Sequence, residues 1–244
     1  MKFRYMVLII VYGMLFAVDC HFSNYPILNM IHTEYLSETD VLMSLHDSVN
    51  GYNGLLEMLF VYTLPFLLGS YYISDKQVFF RVVRYGTRRK YKQAETKKMI
   101  LAATIFTIIH QVIDFLYTTA NFKWPLLMEY SFGLYTIVAG VIAVLFYIQT
   151  GLIYQIIRDW IKKDLAALLI TLGLNFVQYV LIKYSIVKCW IMGKDLFVAF
   201  DFFSGNCDLY VILFTIIRSL LFSICLYLIN QVLFEKKDII RYEK

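Results

Sequence analysis

The chain has 244 residues, 60% of them hydrophobic and 18% aromatic, with 17% charged and a net charge of +5. A soluble domain carries about a quarter of its residues as charges, so this balance excludes one. A basic excess would suggest nucleic acid in a soluble protein, but here it is gathered into a few short segments between apolar runs of about 19–25 residues, the length that crosses a hydrocarbon layer of roughly 30 Å. The class is an all-α integral membrane protein. The pattern predicts six transmembrane helices with both termini cytoplasmic, in a single transmembrane domain over residues 1–244.

The first span is expected at residues 4–22. Lys2 and Arg4 followed by an apolar run also resemble a signal peptide, but Phe16, Val18 and Asp19 are poor cleavage-site residues, so an uncleaved span is the expectation. Residues 23–53 carry Glu34, Glu38, Asp40 and Asp47 and no Lys or Arg, which places them outside by the positive-inside rule. Pro26-Ile27-Leu28 and Val41-Leu42-Met43 there predict short helices lying on the membrane surface. The second span, residues 54–72, contains Glu57 and Pro65, and a kink is expected where neighbours satisfy the freed carbonyl.

Residues 74–98 are the densest charged stretch, holding Lys76, Arg81, Arg84, Arg88, Arg89, Lys90, Lys92, Lys97 and Lys98. Ser74 and Gln77 fit a capping box, and Asp75 suits the positive end of a helix. Val78, Phe79, Val82 and Val83 share one helical face, Gly86 is the expected terminator, and Thr87 can cap the helix entering the next span. A short amphipathic cytoplasmic helix followed by a basic stalk is predicted.

Further spans are expected at residues 99–119, 132–157, 165–187 and 209–234. Between them lie a short outer loop with Trp124, an inner turn from Arg158 to Asp164, and an aromatic-rich outer segment at 188–208. With this topology eighteen of the 23 basic residues fall inside: Lys2, Arg4, the nine central ones, Arg158, Lys162, Lys163, Lys236, Lys237, Arg241 and Lys244. Trp124, Trp160 and Trp190 fall at expected interfaces.

Several polar residues lie inside the spans. Arg218 needs a buried partner, for which Asp19 and Glu57 are the candidates; the pair would line a substrate path or fix helix register. His110 and Asp114, at i and i+4, share a face and suit an interhelical hydrogen bond better than a metal, for want of a third ligand. Cys189 and Cys207 bracket one outer segment and could pair in an oxidising compartment or remain free. The sequence shows no glycine-rich nucleotide loop, no H-E-x-x-H and no nucleophile elbow, so no enzymatic activity and no cofactor are expected in the chain itself.

Arg84-Tyr85-Gly86-Thr87-Arg88-Arg89-Lys90 resembles the cytoplasmic loop of small bacteriocin-associated and peptide-export ABC transporter permeases. The six-span layout is similar to that of the type-2 exporter permeases, although the chain has no amphipathic helix before its first span. The resemblance implies that the amphipathic stretch is a coupling helix, with Val78, Phe79, Arg81, Val82, Arg84, Gly86, Arg88 and Arg89 meeting a separate ATPase that holds ATP-Mg. It also implies that residues 188–208 form a re-entrant outer segment, and that a second permease copy or paralogue completes a dimer in a bacterial cell membrane. Apart from the resemblance, Asp19, Glu57, His110, Asp114 and Arg218 are the candidate intramembrane polar or path residues. The role implied is export of, or immunity to, an antimicrobial peptide or hydrophobic compound. The same amphipathic face could instead rest on lipid headgroups, and a non-transporting sensor or assembly protein using the basic loop is the alternative.

Overall fold

A computed structural model of the protein describes residues 2–30, 36–47, 51–73, 85–186 and 188–236, which are helical without strands. Five of their helices are long and apolar enough to cross a membrane: α1 (Lys2–Leu28), α4 (Arg88–Asn121), α6 (Phe132–Ile161), α7 (Asp164–Lys183) and α9 (Leu209–Glu235). The shorter α2 (Glu38–Leu45), α3 (Thr63–Ile73), α5 (Trp124–Glu129) and α8 (Asp195–Phe203) complete the set. The chain is a multi-pass helical membrane protein.

The second expected span is the exception to the long-helix rule. It is an apolar helix over Glu57–Ile73, roughly 25 Å long at 1.5 Å per residue, and it opens with a π turn over Glu57–Val61. The π turn and Pro65 disturb the carbonyl ladder, and hydroxyl groups donate to three carbonyls around them. Tyr147 donates to the Met58 carbonyl at 3.0 Å, Thr63 to the Leu59 carbonyl at 2.9 Å, and Tyr12 to the Pro65 carbonyl at 3.2 Å. Additional donors to backbone carbonyls near a π turn and a proline suit a helix in lipid, where no water can satisfy them. Gly69 lets Tyr12 lie against the α3 backbone, since a Cβ there would collide with the tyrosine ring.

The expected basic stalk and third span are one helix of 34 residues. Thr87 caps it, its hydroxyl accepting from the Lys90 amide at 3.2 Å, and Gly86 precedes the cap at φ +75°, a backbone angle that favours glycine. The end of the bundle where α4 starts and α6 and α9 finish is the basic end. Arg4 at the start of α1 meets it by donating to the Tyr72 carbonyl at the end of α3, at 3.2 Å.

Three boundaries differ from expectation. α1 does not stop at residue 22 but runs to Leu28, with Pro26 in its final turn, where a proline interrupts little of the helix that remains. Arg158 belongs to the last turn of α6 and not to a loop; the helix stops at Lys162, whose φ of 64° ends it. The third concerns α2. Ser37 and Asp40 form a capping box, with Asp40 N to Ser37 Oγ at 3.1 Å and Ser37 N to Asp40 Oδ2 at 3.2 Å. The Ser37 hydroxyl, and then its amide, hold the Asp40 carboxyl below the usual carboxylate range. α2 turns its apolar face into the protein: Val41, Leu42 and Leu45 are buried in one apolar cluster with Phe122, Phe132 and Phe203. An eight-residue helix with an apolar face gains more by plugging the far end of the bundle than by floating beside it.

The core is aromatic. Phe16 of α1 lies 5.2 Å from Tyr62, 4.8 Å from Phe106 and 5.1 Å from His110, and Phe106 lies 4.9 Å from Tyr147, mostly edge to face. These rings lock α1, the Glu57–Ile73 helix, α4 and α6 together. The outer faces of α7 and α9 carry exposed Leu165, Leu169, Leu213, Phe214 and Leu221, the surface that hydrocarbon would cover.

Candidate functional site

Three of the buried polar networks tie the helices together. The first sits at the basic end. Lys92 of α4 places its ammonium 2.6 Å from Asp159 and 3.1 Å from Glu95, while Arg158 places its guanidinium 2.7 Å from Glu95 and 3.6 Å from Asp159. Two cations and two carboxylates, all buried, balance to zero, which is what makes burial of four charges tolerable. Lys92 also lies 5.1 Å from the Phe234 ring of α9. One turn inward, Gln155 Oε1 accepts from Thr96 at 3.3 Å and from Asn230 at 2.8 Å. Arg88 donates to the Glu235 carbonyl at 3.0 Å. The basic ends of α4, α6 and α9 are thereby tied into one unit.

The second network runs through the middle. Asn175 of α7 donates to Thr63 at 3.1 Å and reaches Thr150 at 3.5 Å, and Gln178 donates to Asn175 at 3.1 Å while accepting from the Gly193 amide at 3.1 Å. Each polar side chain finds its partner on another helix or on the segment before α8.

The third network holds the segment at residues 188–208. Asp195, the first residue of α8, accepts from Arg218 of α9, from Ser219 at 2.5 Å and from Trp190 at 2.9 Å. The Arg218 guanidinium lies over the Trp190 and Phe214 rings at 5.1 and 5.4 Å, and Gln149 of α6 donates to the Ser219 carbonyl at 2.9 Å. Arg218 is roughly 14 Å along α9 from Leu209, so the segment folds back well into the bundle. Met192, Gly193, Ala199 and Phe203 are buried there.

Arg218 therefore pairs with neither Asp19 nor Glu57. Asp19 instead accepts from Tyr62, and Glu57 opens the π turn with one carboxylate oxygen lacking a hydrogen-bond partner. The chain fold-back after α7 brings Asp195 to Arg218. His110 and Asp114 do share a buried face of α4, and each takes a different partner. His110 stacks on Tyr52, ring centroids 4.3 Å apart and nearly parallel; Asp114 meets His46, at the end of α2, at 3.5 Å. His46 also lies 3.4 Å from Thr118. All four cysteines are free thiols, and the Cys207 thiol points to the Val198 carbonyl at 3.6 Å.

Of the residues expected to couple to a partner, Val78, Phe79, Arg81, Val82 and Arg84 lie outside the described residues. Gly86 and Arg89 are exposed beside the α4 cap, and Arg88 reaches α9. The Lys92, Glu95, Arg158 and Asp159 cluster was missed by counting Lys and Arg by sign. Its signal was there: Glu95 is an isolated acid in a basic stretch, three residues after Lys92, and Arg158-Asp159 ends the span that must return beside it. Among the described residues no group of three His, Cys, Asp or Glu side chains is placed to hold a metal ion.

Fold and networks define a multi-pass helical bundle, with an ionic cluster at its basic end and a fold-back segment pinned by Asp195 and Arg218. No family model matches the chain, and no curated protein or solved structure does either.

Proposed function

We propose that the chain is the membrane-spanning permease subunit of an ATP-driven exporter of the type-2 kind, working as a dimer beside a separate ATPase in a bacterial cell membrane. Its cargo would be a peptide or hydrophobic compound, as in antimicrobial peptide export or immunity. In this reading the apolar helix Glu57–Ile73 is the sixth crossing, both termini are cytoplasmic, and residues 188–208 are the re-entrant outer segment.

The observation that supports the reading is the ion-paired basic end. A subunit without a nucleotide site must receive work through its loops, and that work is lost unless the loop joins a rigid element. Thr87 caps the start of α4, directly after the basic stretch in the sequence, and the Lys92, Glu95, Asp159 and Arg158 cluster fastens that start to α6. A push on the loop would move α4, α6 and the end of α9 together, towards the fold-back segment that α9 and α6 hold through Arg218, Ser219 and Gln149.

The test is purification in mild detergent from the native host, with the co-purifying proteins identified. A stoichiometric subunit carrying a Walker-type nucleotide loop is expected, and Arg89→Glu, an exposed change outside the buried cluster, should weaken its retention several-fold while the bundle stays folded. A folded preparation with no such subunit overturns the exporter reading and leaves the basic loop as the docking site of a sensor or assembly protein.

A further inference from the structure

On the lipid-facing side of the bundle α4, α6 and α9 leave a furrow. Its stretch nearer the basic end is a cavity of about 530 Å³ bordered by Gln93, Lys97, Ile100, Ile148, Leu220 and Tyr227. The next stretch, about 570 Å³, lies between α4 and α6 and is bordered by Ile108, Val112, Phe115, Ile137 and Val141. Leu145 borders both, so the two are consecutive parts of one channel along the helices. On α4 the lining residues Gln93, Lys97, Ile100, Thr104, Ile108 and Val112 recur at intervals of three and four, one face of the helix. Ile108 and Ile137 on its walls are 54% and 66% exposed; in a membrane what covers them comes from the bilayer.

Polarity is graded along the furrow. Among the residues bordering the furrow the cation is at the basic end, Lys97 beside Gln93, while Thr107 and Gln111, which border the second stretch, are almost wholly buried. Further along, the Thr104 and Thr136 hydroxyls are used by their own helices, each donating to a carbonyl four residues back at 3.0 Å. One turn before Gln93 stand Arg89 and Lys90. The side chains of Arg89, Lys90 and Lys97 are exposed, and none has a hydrogen-bonding or ionic partner among the described residues. Neighbouring Lys92 is fully committed to its two carboxylates, so this cationic stripe is distinct from the buried cluster.

Cation, then polar edge, then apolar trough is the order of a phospholipid read from headgroup to tail. We propose that the furrow is a binding site for an anionic phospholipid of the leaflet at the basic end. Its phosphate sits at Lys97 with Arg89 and Lys90 close by, and an acyl chain lies between α4 and α6. Half of a hydrocarbon layer of roughly 30 Å corresponds to about ten residues of helix, so a chain starting at Lys97 fills the first stretch and reaches the second near Thr107. The lysine and arginine stems reach outward to the phosphate while their methylenes line the trough. This site stands whether or not the chain is an exporter.

The experiment uses the full chain in nanodiscs of phosphatidylcholine doped with a phosphatidylglycerol bearing a photoactivatable acyl chain, against phosphatidylcholine with the same chain. The phosphatidylglycerol probe should label several-fold more than its counterpart, on α4 and α6 peptides. Lys97→Glu should bring its labelling down to the phosphatidylcholine level, and Ile148→Trp, which fills the trough without changing charge, should reduce both. Equal labelling by the two probes, or labelling indifferent to both substitutions, means ordinary surrounding lipid and overturns the proposal.

Discussion

The bundle buries ionic groups near both of its ends, and builds them differently. At the basic end two cations and two carboxylates face one another across α4 and α6, so every charge has a charged partner on the neighbouring helix. Towards the far end a single pair, Asp195 with Arg218, is completed by neutral donors and by aromatic faces. The basic-end side chains are nearly sealed, whereas Arg218 keeps 31% of its side chain exposed. The first cluster joins the ends of long helices that the apolar core already holds parallel; the second joins a nine-residue helix to the side of one. Loss of the first should damage the whole bundle, and loss of the second should release one segment from an intact bundle.

The sharpest way to break that contrast is Lys92→Met, which leaves Glu95 and Asp159 buried with one cation between them. Removing one partner of a buried ionic set typically costs about 3–5 kcal/mol, so thermal unfolding in detergent should show a large loss. A second substitution, Asp159→Leu, should recover much of it by restoring the balance between Arg158 and Glu95, a coupling that a double-mutant cycle reads directly. If the double variant is as unstable as the sum of the singles, the four groups do not act as a balanced set.

Asp195→Asn should have a smaller effect, about 2 kcal/mol, because Arg218 retains solvent and aromatic contact and the new amide keeps one acceptor. Its mark should be local. Cys207 is half-buried with its thiol on a carbonyl of α8, so in a Cys189→Ser background a membrane-impermeant maleimide should label it several-fold faster once α8 loosens. Unchanged labelling with lowered global stability would mean that Asp195 supports the bundle and does not merely pin the segment.

What was legible in the sequence divides along the same line. Long apolar runs are a statement about each helix against lipid, so the five long helices could be read from residue order, as could the Thr87 cap and the second apolar helix. Partnership is a statement about pairs distant in the chain. Asp195 was hidden because it opens an aromatic stretch that reads as loop, 23 residues before Arg218, while Asp19 and Glu57 looked suitable by depth alone. Lys92 and Arg158 were visible as positive charges, which locate a helix end, but their burial depends on α4 and α6 returning side by side. Val41-Leu42-Met43 was legible as a short helix but its packing was not, because a short apolar face fits a membrane surface and a bundle end equally well until Phe122, Phe132 and Phe203 are known to converge there.

Burial, rather than contact distance, is what separates a structural ion pair from an incidental one in this chain, and two pairs of the same residue types isolate it. Lys92 and Glu95 lie 3.1 Å apart with side chains 0% and 5% exposed; Lys123 and Glu38 lie 3.0 Å apart with side chains 77% and 45% exposed. The second pair bridges the loop before α5 to the first turn of α2, so on geometry alone it should help hold the far-end plug. Water and salt screen it, however, and ordering two long side chains offsets most of the attraction, leaving about 0–1 kcal/mol. Lys123→Ala should therefore leave the unfolding temperature nearly unchanged and insensitive to added salt. A loss from Lys123→Ala approaching that of Lys92→Met would mean that α2 is held by charge. The plug would then owe its position to Glu38 and not to the burial of Val41, Leu42 and Leu45.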